Sequence, residues 1–239
     1  SSGQSCDTNF TSLTYGQGSF TITTYINDTL GNENYSSPVT FFVDSIFPEI
    51  NITTPNNYTN SSDTGLDVKY IYTETNPDSC WWTEDRGTTN TTITCGDNLT
   101  SETWSEGDNT VIVYINDTLN SVNSSSILFT IDTTDPLVNL ALPTNTTYTT
   151  PIAENNSIIT YLNWTATDTN LESCWYSTNN SVNMSVSCGY NQTLGLDYGS
   201  YLITTCAKDI GSRITCDDVS ATWNYIQQET SFTFNTTSQ

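Results

Sequence analysis

Polar and apolar residues in this chain alternate in short runs rather than recurring every three or four positions. From Gly18 the run Phe20-Thr21-Ile22-Thr23-Thr24-Tyr25-Ile26 ends at Asn27-Asp28-Thr29, and the same figure returns from Gly107 through Val111, Val113 and Ile115 to Asn116-Asp117-Thr118. A weaker third copy starts at Gly199 and passes through Ile203, Thr205 and Ala207 to Asp209. Period-two alternation puts every second side chain on one face of a strand. Ile22/Thr24/Ile26, Val111/Val113/Ile115 and Ile203/Thr205/Ala207 are therefore expected to face inward, each strand ending in an Asp turn. Return strands are expected at residues 38–44 (PVTFFVD), 127–132 (ILFTID) and 231–235 (SFTFN).

A second repeated figure lies upstream. Residues 70–80 followed by Trp81-Trp82 parallel residues 162–174 followed by Trp175-Tyr176, with second cysteines at Cys95 and Cys188. Asp44-Ser45-Ile46-Phe47-Pro48 and Asp132-Thr133-Thr134-Asp135-Pro136 mark joints, because proline ends ladder pairing and restricts the residue before it. Modules are thus expected at 1–47, 48–135 and 136–239. Short strands separated by Gly, Asn and Pro predict an all-β chain of tandem Ig-like β-sandwich modules, the first one incomplete and owning only its last three strands.

The combination of Cys-Trp-Trp or Cys-Trp-Tyr, a second Cys about 15 residues on, the Gly-led alternating run ending in Tyr-Ile-Asn-Asp-Thr, and the Asp-x-x-x-Pro joint resembles the tandem Ig-like repeats of archaeal surface glycoproteins. The resemblance covers nearly the whole chain and implies a secreted or cell-surface structural module, used in stalks, envelope layers, fibres or adhesins. The third copy departs from it, with Cys206 in the Tyr column and extra sequence from Gly211 to Glu229.

Composition sharpens this picture. Ser and Thr together supply 74 of the 239 residues and Asn 27, yet 14 Tyr, 8 Phe and 6 Trp argue for a folded chain rather than a disordered stalk. The acceptor pattern Asn-x-Ser/Thr occurs at Asn9, Asn27, Asn34, Asn51, Asn57, Asn60, Asn90, Asn98, Asn116, Asn123, Asn145, Asn155, Asn163, Asn179, Asn183, Asn191 and Asn235. Chance predicts about 8 such sites from this Ser and Thr content, so N-linked glycans and an extracellular or cell-surface location are expected; the ordinary alternative is the liking of Asn and Thr for turns. The opening residues carry no signal-peptide pattern, which is read as removal of a leader or as an internal piece.

Seven cysteines beside that acceptor density point to an oxidising compartment. Repeat equivalence pairs Cys80 with Cys95 and Cys174 with Cys188, and leaves Cys206 with Cys216 to bracket a loop between the last strands of the third module. Cys6 stands as far before Gly18 as Cys95 does before Gly107, so its partner should lie in earlier strands that this sequence does not contain. Cys6 is then unpaired or intermolecular, and the first module needs completion, either by a continuation of the same chain or by another copy in a head-to-tail assembly.

Other chemistries are thinly supported. The net charge of −22 reflects 26 Asp and Glu against 4 Lys and Arg, too few bases to neutralise phosphates, so no nucleic-acid partner is expected. The absence of His removes the commonest general base and Ser-His or Cys-His nucleophile pairs, and no cleft-forming element is legible, so no enzymatic activity is expected. No run of about 18 apolar residues suits a membrane span. Trp104 and Trp223 could stack on sugars, though a sandwich Trp is more often core. No metal-ligand spacing and no cofactor is expected, calcium excepted. Asp28, Asp117 and Asp209 recur at one turn and Asp44, Asp132 and Asp135 at the joints, where calcium could stiffen the connection, while solvated turns are the plainer reading. The expected function is a structural subunit of an extracellular filament or surface layer. The alternative is an adhesin or a stalk segment of a larger cell-surface protein, with the Cys206–Cys216 loop as candidate tip.

Overall fold

The computed structural model describes residues 5, 6, 8–84, 88–151 and 157–226. Among these residues every regular element is a strand. By their contacts they fall into two compact units, one of residues 1–52, 70–97 and 112–126, the other of residues 53–69, 98–111 and 127–239.

The first unit holds β1 (Gly18–Ile22), β2 (Tyr25–Asn27), β3 (Glu33–Tyr35) and β4 (Val39–Val43). β1 pairs antiparallel with β4, from Gly18 opposite Val43 to Ile22 opposite Val39, and β2 pairs with β3, Tyr25 opposite Tyr35. The opening segment is thus one long hairpin of four short strands, its ladder interrupted between Ile22 and Tyr25, where three strands were expected. The turn at its tip forms because Asp28 Oδ1 accepts from the amides of Leu30 and Asn32, both at 2.9 Å. The alternation separates its faces. Phe20, Ile22, Val39 and Phe41 share one side, while on the other the Thr21 and Thr40 hydroxyls bond at 2.8 Å.

The second repeat contributes β5 (Glu49–Thr54), β6 (Thr59–Ser61), β7 (Lys69–Thr73), β8 (Pro77–Thr83), β9 (Thr91–Ile93), β10 (Gly107–Asp117) and β11 (Val122–Ile131). In the first unit β8 lies between β10 and β9, with Ile115 opposite Cys80 and Cys80 opposite Ile93. Trp81 and Tyr114 stack across that ladder at 5.3 Å, an aromatic cross-strand pair of the kind that stabilises sheets. In the second unit β11 runs parallel to β6, Phe129 opposite Thr59, and Trp104 meets Phe129 edge-on at 5.3 Å.

The third repeat lies wholly in the second unit: β12 (Leu137–Leu142), β13 (Thr147–Pro151), β14 (Ser157–Thr167), β15 (Leu171–Thr178), β16 (Met184–Val186), β17 (Gln192–Asp197), β18 (Gly199–Asp209) and β19 (Ile214–Ile226). Sheet β12-β14-β17 and sheet β13-β19-β18-β15-β16 enclose one core, in which Leu162, Trp164, Ile203, Ala207, Ala221 and Trp223 are all 2% exposed or less. Each large side chain so buried contributes roughly 1.5–3 kcal/mol. The inward columns read from the alternation hold here and in the second repeat, where Val111, Val113 and Ile115 are fully buried.

Residues 231–235, where the third return strand is expected, lie outside the described residues. The described strand that follows β18 and pairs with it is β19, after the turn Asp209–Arg213, closed by the Asp209 amide on the Arg213 carbonyl at 3.1 Å. The alternation of β19 is hidden by a carboxylate in its inward column: Asp217, whose Oδ2 accepts from the Leu140 amide at 2.8 Å. Cys206 and Cys216 sit directly opposite one another in the β18–β19 ladder and so bracket the turn that joins the last two described strands of the third repeat.

Candidate functional site

Three disulfides are present. Cys80 joins Cys95 and Cys174 joins Cys188, closing 15 and 14 residues, and Cys206 joins Cys216 across the ladder with a Cα–Cα distance of 4.1 Å. In both repeats the segment beyond the second cysteine is also tied to a buried aromatic. The Tyr70 hydroxyl accepts from the Gly96 amide at 3.0 Å, and the Trp164 indole donates to the Tyr190 carbonyl at 3.0 Å. Burial pushes the Tyr70 phenol above its ordinary pKa. Cys6 is exposed and forms no disulfide among the described residues. Trp104 and Trp223 are each 2% exposed, hence core residues and not sugar platforms.

Of the acceptor asparagines, Asn155 and Asn235 lie outside the described residues. Asn9, Asn27, Asn34, Asn51, Asn57, Asn60, Asn90, Asn98, Asn123, Asn145, Asn179, Asn183 and Asn191 are exposed, and Asn163 is half-buried. Asn116 differs, being 8% exposed. Its Oδ1 accepts from both the amide and the hydroxyl of Ser79, and its Nδ2 donates to Asp78 at 3.3 Å. Its side chain ties β10 to β8, with both of its polar atoms engaged.

Within each unit one of the repeated Asp turns, at Asp117 or Asp209, lies with one joint. Asp117 and Asp209 each fold their turn by accepting a main-chain amide, from Ser121 and Arg213 respectively, both at 2.8 Å. Against these turns rest two tetrads that the sequence reading did not single out, Thr73-Glu74-Thr75-Asn76 and Thr167-Asp168-Thr169-Asn170. The Thr118 amide donates to the Asn76 carbonyl at 3.1 Å, and the Ile210 amide to the Asn170 carbonyl at 3.0 Å. Glu74 and Asp168 each accept the amide two residues on, at 2.8 and 2.6 Å. The joint residues complete both groups. Asp44 accepts from Asn76 Nδ2 at 3.3 Å, and Asp132 accepts from the Thr134 amide at 3.3 Å. Gln17 takes the amide of Ser45 as Glu106 takes that of Thr133. The tetrads were legible as Thr-acid-Thr-Asn written twice, each just ahead of the repeat's first cysteine.

The electrostatics follow from burial. Burial pushes the Asp132 carboxyl above its ordinary range, the Thr134 amide opposes this, and the charges of Asp209, Asp168 and Glu106 add to it. Burial also raises Asp117, but its hydrogen bonds from Ser121 and Leu119 prevail and hold it below the usual carboxylate value. Hydrogen bonds from Thr133 hold Glu106 low, and those from Asn32 hold Asp28 low. Among the described residues no group of three Asp, Glu, Cys or His side chains stands as a ready metal cage, and no helix is long and apolar enough to cross a membrane.

No protein-family model and no curated protein sequence matches the chain. Solved structures do resemble it in fold. Fibronectin(III)-like modules of Clostridium thermocellum CbhA align over 78% of this chain and 100% of theirs, at 14% identity and a TM-score of 0.44. A tetra-tandem repeat in the extending region of a large adhesion protein aligns over 87% of this chain and 57% of its own, at 17% identity and a TM-score of 0.35. Cadherin domains 1–5 of protocadherin gamma B2 align over 89% and 46%, at 14% identity and a TM-score of 0.35. Likeness at this level says nothing of what any part of this chain binds.

Proposed function

We propose that this chain is a structural subunit of an extracellular filament or surface layer, carrying N-glycans on its exposed acceptor asparagines and joined head to tail through its opening hairpin. One observation carries the reading. The hairpin column equivalent to the fully buried Val111/Val113/Ile115 is solvent-exposed, with Ile22 at 36% and Ile26 at 57%, and Val39 opposite Ile22 is at 63%. Phe20 and Phe41 on that face are covered only in part, by Tyr15 at ring distances of 5.0 and 4.8 Å. An amphipathic two-stranded hairpin with its apolar side in water is unfavourable and marginal by itself. A second copy laid on that face, by strand addition or by a covering sheet, would remove it from water, and a contact that does not close on itself propagates. Three disulfides support an oxidising, extracellular setting. The archaeal surface glycoproteins that the sequence motifs resemble would fit the same role.

The alternative reading is a stalk or adhesin segment of a larger surface protein, in which further residues of the same chain cover the hairpin. Analytical ultracentrifugation and negative-stain microscopy of the chain separate the two. Concentration-dependent fibres that are lost in Ile22→Asp/Val39→Asp, with the melting of the disulfide-bonded modules unchanged, are the expected result. A chain that stays monomeric at every accessible concentration refutes the filament.

A further inference from the structure

Where the second repeat passes into the third, Glu106, Asp132, Asp168 and Asp209 gather, and two of them are out of water: Asp132 is 1% exposed and Asp209 is fully buried. Each spends Oδ1 on its own loop and leaves Oδ2 buried with no hydrogen-bond donor. Both acids pack closely against Gly211. A Cβ there would stand 3.3 Å from Asp132 Cβ and 3.3 Å from Asp209 Oδ1, and would collide with the Asp132 carbonyl oxygen. Buried carboxylate oxygens without donors, beside other anions, are costly unless a cation meets them. The base within reach, Arg213, is turned toward Asp135, which its Nη1 meets at 2.7 Å.

The joint before the second repeat is built the same way, wholly within the other unit. Asp117 is fully buried, and its Oδ2 and Glu74 Oε2 are the buried oxygens there without a donor. The position of Arg213 is held at this joint by Ser121: the Asp117 amide donates to the Ser121 carbonyl as the Asp209 amide does to that of Arg213. The remaining turn, at Asp28, is the internal contrast. There Oδ1 takes two amides and Oδ2 takes the Asn32 side chain at 2.7 Å, so both oxygens are satisfied. The turn itself can therefore complete its carboxylate, and the two turns that lie at joints leave one oxygen over.

We propose that each joint binds one calcium ion, through Asp117 and Glu74 at the first and through Asp209 and Asp132 at the second, with main-chain carbonyl oxygens and water filling the rest of the shell. The donors are all hard oxygens, and two carboxylates among neutral oxygens suit the irregular shell of 6–8 ligands that calcium accepts and the stricter octahedron of magnesium does not.

The test is calorimetric titration of the intact, disulfide-bonded chain with calcium chloride, together with melting in calcium and in EDTA. Two binding events with dissociation constants on the order of 10⁻⁵–10⁻³ M and a melting temperature several degrees higher in calcium are expected. Asp117→Asn should remove one event, Asp209→Asn the other, and Asp28→Asn neither. Melting of the wild-type chain unchanged by calcium overturns the proposal without recourse to any variant. So does binding that survives both Asp117→Asn and Asp209→Asn, or that is lost equally in Asp28→Asn. If Asp209→Asn does not fold, Asp132→Asn answers for the second site.

Discussion

Trp164 is the side chain whose removal should hurt most, and the structure separates what it does into two parts. Its ring is 1% exposed in the core of the third repeat, and its indole N–H donates to the Tyr190 carbonyl at 3.0 Å, holding the turn that follows Cys188 against β14. That turn lies close to the strand: a Cβ on Gly189 would stand 3.5 Å from the Ala166 amide nitrogen. Trp164→Phe keeps most of the apolar volume and takes away the donor, leaving a carbonyl unsatisfied, which costs about 1–3 kcal/mol. Trp164→Ala takes away the ring as well, and the cavity brings the total to about 3–5 kcal/mol. For a domain of this size that lowers the midpoint of melting by roughly 4–8 °C per kcal/mol. The assay is urea denaturation followed by far-UV circular dichroism with the disulfides intact, since fluorescence would change with the loss of the indole itself. A cost below about 1 kcal/mol for Trp164→Ala would refute the clamp, as would equal costs for the two variants, because the ring and the donor would then not be separable contributions.

Two further outcomes are expected. Cys206→Ser with Cys216→Ser should destabilise the third repeat by about 2–4 kcal/mol in the same urea assay, while leaving β18 and β19 paired; loss of strand signal in water would show the disulfide to be a condition of folding. Glycopeptide mass spectrometry of the protein from its natural source should find sugar on exposed sites such as Asn9, Asn90 and Asn183 and none on Asn116, and a glycan at Asn116 would contradict its buried bonds to Ser79 and Asp78.

The strands that alternate cleanly were legible in the sequence because nothing interrupts their period: Val111, Val113 and Ile115 of β10 need only the pleat to reach the core. β19 was not, since the inward column that carries Val219, Ala221 and Trp223 also carries Asp217, whose charge is answered by a main-chain amide from a strand far away in sequence. Local pattern cannot register a partner 77 residues distant. Asn116 shows the same limit from the other side. Its acceptor motif is intact, but the strand pairing that brings Ser79 against it turns a surface signal into a structural bond. The joints were half legible. Asp44, Asp132, Asp117 and Asp209 stood out by recurrence, while Glu74 and Asp168 differ in residue type and so did not read as one position until both were seen to accept the amide two residues on.

The strand that opens the larger sheet of the third repeat and the strand that leaves it run side by side in the same direction: β13 pairs in parallel with β19 from Thr147 opposite Thr222 to Pro151 opposite Ile226. When the chain on either side is pulled, these two strands are drawn in opposite senses along their length. Their hydrogen bonds are then loaded together, in shear, rather than broken one at a time as a hairpin would unzip. A module wired in this way resists extension with the strength of the whole ladder.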